Sequence, residues 1–373
     1  MHGWERSGLE FCSGRLTMTS TENCGNVLAD LPIPIVGAPM AGGPTTVDLV
    51  TAVSGAGALG FLAGATISPA AIRYAVAGVR DQGVERFGVN VFVPEPSFTP
   101  DYAALRAYRH RLSPVAAALG AQVPDVVDGV SDYAAKVDVL VDSRVPWLSF
   151  TFGLPRLVDV ARLKEVHTQV VVTVTSPHDA RDAADRGADY LVVQGPLAGG
   201  HRSTFSVGTE PPDIELRVLL DKVSQVTSLP LIAAGGVSTG ADVAQLLNAG
   251  ASAVAVGTLL LRCPEAGTHP VRRDALADPR FTTTVVTRAF SGRPARGLSN
   301  LFHREFNRYA PAAYPEVNTM TGPLREAAMH AANADMTNVW AGAGYRSARA
   351  DPAADVIKRL WDEAQRHLAN PGS

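Results

Sequence analysis

The stretch that decides the fold reads VVQGPLAGGH (Val192–His201), then PLIAAGG (Pro230–Gly236), then AVAVGT (Ala253–Thr258). Each of these apolar runs ends in glycine or another small residue. Helix-like segments, roughly Ile214–Ser228 and Thr239–Ala249, separate the three runs. The order is therefore strand, helix, strand, helix, strand, with bare backbone at the carboxyl end of each strand. In barrels built from such units, those ends form the ligand-binding face.

The same alternation covers the rest of the chain before residue 260. Eight strand-like runs lie roughly at 33–38, 58–62, 87–92, 146–150, 170–174, 190–194, 231–234 and 253–257. Most are continuously apolar, as expected of parallel strands that are buried on both faces. Three intervening helix-like segments end in a glycine before the next strand, in SGAGALGF from Ser54, DRGADYLVV from Asp185 and NAGASAVAV from Asn248. Glycine there suits a left-handed helix C-terminus. The pattern predicts an α/β fold, a (β/α)8 TIM barrel.

This pattern divides the chain into four regions. Residues 1–27 lack a hydrophobic signal segment, and we expect a disordered lead-in there. Residues 28–269 are predicted to form the barrel, with a helical insertion around 95–144. Residues 270–335 are predicted to form a small, mostly helical lid or substrate domain. Residues 336–373 are predicted to return to the barrel, through a helix at about Ala353–Leu368.

Composition excludes several function classes. The 373 residues are 46% hydrophobic and carry a net charge of −3, which gives no electrostatic basis for binding nucleic acid or an anionic membrane. No apolar run reaches the length of a membrane span. Cys12, Cys24 and Cys263 are scattered without a CxxC pair, which favours a reducing, cytoplasmic location.

Polar or flexible residues follow the first and third strands. The first strand ends in GAPMAGG (Gly37–Gly43), where a flat ring could lie against Pro39 and Met40 beside Ala38. The alternative is an ordinary turn with a methionine in the core. Asn90 lies within the otherwise apolar third strand and, if buried, needs hydrogen-bond partners. Either a ligand ring or a neighbouring strand end could supply them.

The sixth strand ends at Gln194, and its loop carries His201 directly after Gly199 and Gly200. An imidazole with a pKa near 6.5 suits proton transfer or anion binding. The alternative is a solvated histidine in a flexible loop. We favour a functional role because the loop follows a barrel strand.

The last two strands end in AAGG and VGT, which offer the backbone N–H groups of Gly235, Gly236 and Gly257 and the hydroxyl of Thr258. Barrels recurrently bind phosphate after these two strands. A dinucleotide GxGxxG at the first βα unit and a Walker A lysine are both missing, which favours a mononucleotide such as FMN over NAD. No His/Asp/Glu spacing suggests a metal, and no GxSxG suggests a serine hydrolase.

PIVGAPMAGG, GALGFLAGA, FGVNVFVP, VVQGPLAGGHRSTF, PLIAAGG, ASAVAVGT and WAGAG together resemble the nitronate monooxygenase family, formerly the 2-nitropropane dioxygenases. The resemblance covers about Pro32 to Gly344. The group also includes FMN-dependent enoyl-acyl-carrier-protein reductases and quinone reductases. It implies an FMN-binding TIM barrel with a helical substrate domain, and it matches His201 to the family's catalytic histidine. The residues assigned to cofactor binding are Ala38, Pro39, Met40, Asn90, Gln194, Gly199, Gly200, Gly235, Gly236, Ala255, Val256, Gly257 and Thr258.

The resemblance further implies that His201 deprotonates a nitroalkane or binds the nitronate. The flavin and oxygen would then convert nitronates such as propionate 3-nitronate to a carbonyl compound and nitrite. The expected partners are a nitronate or nitroalkane and oxygen, and a homodimer is also considered. Two alternatives remain: an FMN reductase that uses NAD(P)H on an enoyl thioester or a quinone, and a flavin- or phosphate-binding module without turnover.

Three positions depart from the common family pattern. Leu197 replaces an acidic residue, Ser203 replaces a glycine, and Ala255 stands where glutamine is frequent. Some quinone reductases of the group carry a histidine on strand five, which VVVTVTS lacks, and this disfavours that alternative. Scattered arginines more commonly belong to a solvated basic loop, but in the predicted lid TTTVVTRAFSGRPARGLSN (Thr282–Asn300) carries three that could cover the flavin with positive charge. They are Arg288, Arg293 and Arg296.

Overall fold

The computed structural model describes residues 27–95, 97–125 and 132–370, so the lead-in predicted over 1–27 lies almost wholly outside the described residues. Eight parallel strands close into a barrel in the order β1-β2-β3-β4-β5-β6-β8-β9, which confirms the predicted TIM barrel. They are β1 (Ile35–Gly37), β2 (Leu59–Ala63), β3 (Phe87–Phe92), β4 (Trp147–Thr151), β5 (Gln169–Val174), β6 (Tyr190–Gln194), β8 (Leu231–Ala234) and β9 (Ala253–Val256). Three further strands form a small separate sheet: β7 (Gly200–His201), β10 (Thr284–Thr287) and β11 (Ala295–Leu298).

Twelve α-helices accompany the strands in the described part of the chain. They are α1 (Val47–Gly55), α2 (Pro69–Asp81), α3 (Tyr102–Ala118), α4 (Tyr133–Asp142), α5 (Leu157–Glu165), α6 (Pro177–Asp185), α7 (Leu216–Ser224), α8 (Gly240–Asn248), α9 (Pro270–Ala275), α10 (Leu301–Phe306), α11 (Glu316–His330) and α12 (Ala353–Ala369). Several begin at a side chain that caps the first free N–H groups, such as Ser176 before α6. The predicted glycine ends of α1, α6 and α8 are left-handed, with φ of 97° at Gly57 and 94° at Gly187 and Gly250.

The barrel interior is filled by side chains, so the barrel is a packed core and its open face lies at the carboxyl ends of the strands. The rings of Trp147 and Tyr190, near the amino ends of their strands, pack at a tilt of 47° with their centroids 4.6 Å apart. Leu28 is fully buried in the same cluster, and Phe61 and Ile232 fill the level above. This packing places any ligand cavity on top of the interior side chains.

The insertion predicted at 95–144 serves two parts of the molecule. Its helix α4 packs with α2 in the ring of helices around the barrel. Its helix α3 instead packs against α11, and Leu105 and Leu112 join Phe302 and Leu324 in one buried cluster. The hydroxyl of Tyr108 in α3 donates to the carbonyl oxygen of Ala289 at 2.6 Å. Helix α3 and residues 270–335 thus share a buried core, and the two together are called the second domain.

The segment 270–335 holds α9, α10 and α11, as a mostly helical lid requires, but it also contains the β10–β11 hairpin, which sequence analysis missed. Strand β11 pairs antiparallel with β7, with Ala295 opposite His201. The run TTTVVT was a local signal for a strand. Its partner β7 has only two residues, too few for any sequence period. The helix predicted near the C-terminus is present as α12, which packs on α8 and α1.

Candidate active site

A cavity of about 620 Å³ opens at the carboxyl ends of the barrel strands. All fourteen residues that the sequence assigned to catalysis or cofactor binding line it. They are Ala38, Pro39 and Met40 after β1, Asn90 on β3, Gln194, Gly199, Gly200 and His201 on and after β6, Gly235 and Gly236 after β8, and Ala255, Val256, Gly257 and Thr258 on and after β9. Their convergence follows from the parallel barrel, because each strand delivers its carboxyl end to the same face.

Aromatic rings surround His201 on the cavity wall. Its ring centroid lies 5.5 Å from those of Phe152 and Trp340 and 5.8 Å from that of Tyr314. Burial, together with the positive charges of Arg293 and Arg325, lowers the pKa of His201 from 6.5 to about 3. The imidazole is therefore neutral at physiological pH, so it can accept a proton but does not present a cation to an anionic ligand.

Ser291 holds the His201 ring. The Nε2 atom of His201 lies 2.8 Å from the Oγ of Ser291, which in turn lies within donating distance, 3.3 Å, of the carbonyl oxygen of Arg293. If the serine hydroxyl donates to that carbonyl, Nε2 carries the imidazole hydrogen and donates to Oγ. The other ring nitrogen, Nδ1, forms no hydrogen bond with the described residues and is then the basic one. Sequence analysis did not single out Ser291, because no local motif marks it.

The two amide side chains at the strand ends are held largely by the protein itself. The Nδ2 of Asn90 donates to the Oγ of Ser149 at 2.8 Å and to the Oγ1 of Thr151 at 3.0 Å. The Nε2 of Gln194 donates to the carbonyl oxygen of His201 at 2.9 Å, and its Oε1 accepts from the N–H of Ser203 at 2.9 Å. Gln194 thus fixes the loop that carries His201, a role that the sequence did not suggest.

Backbone conformation explains the glycines after β8. Gly235 and Gly236 have φ of 117° and 80°, a left-handed region that L side chains rarely adopt. A Cβ on Gly235 would lie 2.8 Å from the backbone nitrogen of Ala198, so the chain passes too closely for a side chain. At Gly200, with φ of 76°, the added Cβ would meet open space. These residues expose backbone to the cavity.

The departures from the common family pattern have visible consequences at two positions. Ser203 is fully buried, and its Oγ accepts from the N–H of Phe152 and lies 3.4 Å from the carbonyl oxygen of Thr173. It therefore ties the His201 loop to the ends of β4 and β5, which a glycine would not do. Leu197 is 47% exposed on the cavity wall and leaves it without the acidic group common in the family.

The arginines that reach the cavity are not those that the sequence indicated. Arg288, Arg293 and Arg296 do not line it. Their guanidinium groups bind Glu210 at 2.7 Å, Glu95 at 3.5 Å and the carbonyl oxygen of Pro196 at 2.9 Å, respectively. The arginines on the cavity wall are instead Arg272 of α9 and Arg325 of α11. That correction needed the tertiary structure, because sequence spacing does not reveal which cations find a partner.

Comparison with known proteins places these features in a family. The sequence model described as nitronate monooxygenase matches residues 27–363. A "Probable nitronate monooxygenase" of Staphylococcus aureus (strain MSSA476) is 33% identical over 341 residues, which cover 90% of this chain and 95% of the relative. A solved nitroalkane oxidase from Streptomyces ansochromogenes is 41% identical, with a TM-score of 0.88 over 93% of this chain and 100% of its own.

FabK from Thermotoga maritima is more distant, at 25% identity and a TM-score of 0.71 over 92% of this chain and 96% of its own. An enoyl reductase domain from Bacillus amyloliquefaciens, at 12% identity and a TM-score of 0.64 over 92% and 97% of the two chains, shares the fold alone. Within the described residues, no helix is both long and apolar enough to span a membrane. By its sequence, its barrel and its nearly full-length match, the chain belongs to the nitronate monooxygenase family of flavin-dependent oxidoreductases that oxidise nitroalkanes or nitronates.

Proposed function

We propose that the protein binds FMN and uses oxygen to convert alkyl nitronates, such as propionate 3-nitronate, to a carbonyl compound and nitrite. The observation that carries this proposal is His201. It is a neutral imidazole held by Ser291 on the wall of a cavity that glycine backbone also lines. Family membership supplies the reaction class, and the cavity supplies the residues for it.

The cavity fits a flavin mononucleotide in two respects. The left-handed Gly235 and Gly236 and the adjacent Gly257–Thr258 turn present backbone without side chains, as a phosphate site requires. The hydroxyl of Thr258 also accepts the N–H of Gly342 at 2.9 Å, which brings a third glycine segment to the same place. We assign the phosphate to these turns and the ring to the region beside Pro39 and Met40. FMN would supply the redox chemistry.

His201 would act as the base on a neutral nitroalkane. Its Nδ1 is available to take the proton from the carbon next to the nitro group, and the bond from Nε2 to Ser291 holds the ring while the proton moves. The aromatic side chains of Tyr314 and Trp340, which line the cavity beside His201, would exclude water from that carbon. A substrate that is already a nitronate has no such proton, so it would need only the binding part of this site.

Anaerobic titration tests the proposal. The purified protein, reconstituted with FMN, is mixed without oxygen first with propionate 3-nitronate and, in a separate sample, with NADPH. We expect rapid bleaching of the flavin bands by the nitronate, and formation of nitrite when oxygen is admitted. Bleaching by NADPH alone would instead favour an enoyl or quinone reductase, and bleaching by neither would favour a binding module.

A further inference from the structure

Two arginines on the cavity wall carry positive charge without an acidic partner. Arg272 and Arg325 both line the cavity, and within the described chain no carboxylate oxygen lies within 4.0 Å of either guanidinium group. They share one neutral acceptor, the Oδ1 of Asn338, at 2.9 Å from Arg272 and 3.4 Å from Arg325. Glu326 also lines the cavity but is exposed and forms no ion pair with them.

The hydrogen-bond capacity of the pair is incompletely used. The Nε of Arg272 is fully buried without a partner among the described residues, which is a costly state for a charged donor. Arg325 is held in place by the backbone and side-chain oxygens of Asn318, at 2.7 and 3.1 Å, but these acceptors are neutral. Burial, together with repulsion from Arg272, lowers the pKa of Arg325 to about 10.

Two other arginines of the second domain, Arg288 and Arg293, are paired with carboxylates. Arg293 stacks on the ring of Phe152 at 4.1 Å and pairs with Glu95, and neither it nor Arg288, which pairs with Glu210, borders the cavity. Arg272 and Arg325 differ from these two residues, because they face the space for a ligand and have no carboxylate partner among the described residues. Guanidinium groups match carboxylate and phosphate oxygens, which they bind through paired hydrogen bonds.

The pair lies on the substrate side of the site. Arg325 is close enough to His201 for its charge to contribute to the lowered pKa of the imidazole. Both arginines come from the second domain, on α9 and α11, whereas the glycine turns assigned to the flavin phosphate come from the barrel. A small substrate whose reacting carbon meets His201 would therefore reach the arginines with its far end.

We infer that Arg272 and Arg325 form an oxyanion subsite that selects nitronates and nitroalkanes carrying a second anionic group, such as a carboxylate. This inference rests on the proposed function for the identity of the reacting group. The same chemistry would suit the 2′-phosphate of a nicotinamide dinucleotide, so the test includes that source.

The experiment compares two substrates in the FMN-loaded protein, propionate 3-nitronate and the uncharged-tail analogue propyl-1-nitronate. In the parent protein kcat/KM should favour propionate 3-nitronate. Arg272→Met should reduce kcat/KM for that substrate by about 10- to 100-fold, the worth of a charged hydrogen bond, and reduce it for propyl-1-nitronate by a much smaller factor. Arg272→Lys should restore part of the preference. Arg273→Met is the matched control, because Arg273 lies on the same helix but does not line the cavity.

A binding measurement separates this inference from the proposed function. Succinate carries two oxyanions but cannot be oxidised in this way, so calorimetric titration with it reports the subsite without turnover. We expect saturable binding to the parent and to Arg273→Met, weakened at least tenfold in Arg272→Met. Equal succinate binding in all three, or equal losses on both nitronates, would overturn the subsite even if nitronate oxidation is confirmed.

Binding of the 2′-phosphate of NADPH by these arginines would give a different result. If Arg272→Met left the nitronate preference intact but abolished flavin reduction by NADPH relative to NADH, the arginines would serve a 2′-phosphate and the inference would be wrong. Should Arg272→Met fail to fold, as judged by circular dichroism, Arg325→Met takes its place with the same expectations.

Discussion

At the scale of the residue, His201 combines a titratable group with surroundings that keep it neutral. The lowered pKa has a consequence for stability. In the unfolded chain the imidazole binds a proton below about pH 6.5, whereas in the folded protein it stays neutral down to about pH 3. The unfolded state therefore binds more protons between these values, and His201 contributes a loss of stability as the pH falls from 6.5 towards 3.

The pH dependence of activity follows from the same shift. For a neutral nitroalkane, kcat/KM reports groups of the free enzyme, and His201 is already unprotonated throughout pH 5–8. We expect no acid inflection near pH 6.5 in this parameter, in contrast to an exposed histidine. A rate profile measured in buffers of constant ionic strength checks this, and a clear loss centred at pH 6.5 would contradict the neutral assignment.

Removing the imidazole tests its role directly. His201→Asn should keep FMN bound, because the expected cofactor contacts near it are backbone, but it should lower kcat/KM on neutral nitroalkane by about 10²–10⁴-fold, the usual contribution of a positioned base. Preformed nitronate should lose less, since its proton is already gone. Equal losses on both substrates would indicate that His201 binds the anion instead, and no loss would remove it from the site.

At the scale of the element, the strand ends set the site, because a parallel barrel gathers eight loops on one face. The loop after β6 is held at both ends: by Gln194 within the barrel and by pairing of β7 with β11 of the second domain. The loop that carries His201 therefore bridges the barrel and the β10–β11 hairpin. The position of His201 depends on the hairpin as much as on the barrel.

The turn after β8 allows a matched test of the phosphate assignment. Gly236→Ala and Gly236→Asp both place a Cβ at a φ of 80°, and both meet the side chain of Leu197 at 3.2 Å. Each should therefore cost about 1–2 kcal/mol of stability from the left-handed backbone. Only the aspartate should weaken FMN binding severely, because its charge repels the phosphate. Equal FMN affinities for the two variants, measured by fluorescence titration, would place the phosphate elsewhere.

At the scale of the whole molecule, the second domain has a core of its own built from segments distant in sequence. Leu112 of α3 is fully buried against residues of α10 and α11. Leu112→Ala should lower the free energy of unfolding by about 2–5 kcal/mol, the cost of a cavity in a packed core. Tyr74→Ala, at a side chain that is 80% exposed on α2, should change it by less than about 0.5 kcal/mol. Equal effects in denaturant titrations would contradict the docking of α3.

Which flavin the protein binds depends on the whole cavity. Heat release of the chromophore from protein purified with its flavin should yield non-covalent FMN and no FAD. The strand ends offer one phosphate-sized backbone site, and the sequence carries no dinucleotide fingerprint. Recovery of FAD, or failure to bind any flavin on reconstitution, would refute the assignment.

Local sequence determined the barrel. Parallel strands that are buried on both faces need continuous apolar runs, and the left-handed backbone at the helix ends before β2, β6 and β9 favours glycine. Both features can be recognised in a short stretch of sequence. Every strand end of a parallel barrel reaches the same face. The cavity-lining residues of the barrel, from Ala38 to Thr258, could therefore also be predicted from the sequence.

The arrangement of residues 270–335 and of the polar groups around the cavity depends on tertiary structure. The strand β7, the division of the 95–144 insertion between two cores, and the roles of Ser291 and Gln194 all depend on partners far away in sequence. The surroundings of the charged side chains also depend on tertiary structure. Arg288 and Arg293 look as available as Arg272 and Arg325 in the sequence, but only the fold decides which guanidinium groups meet a carboxylate and which face the cavity. The spacing of hydrophobic residues is a property of a short stretch of sequence. The pairing of polar groups, in contrast, depends on the contacts that folding creates.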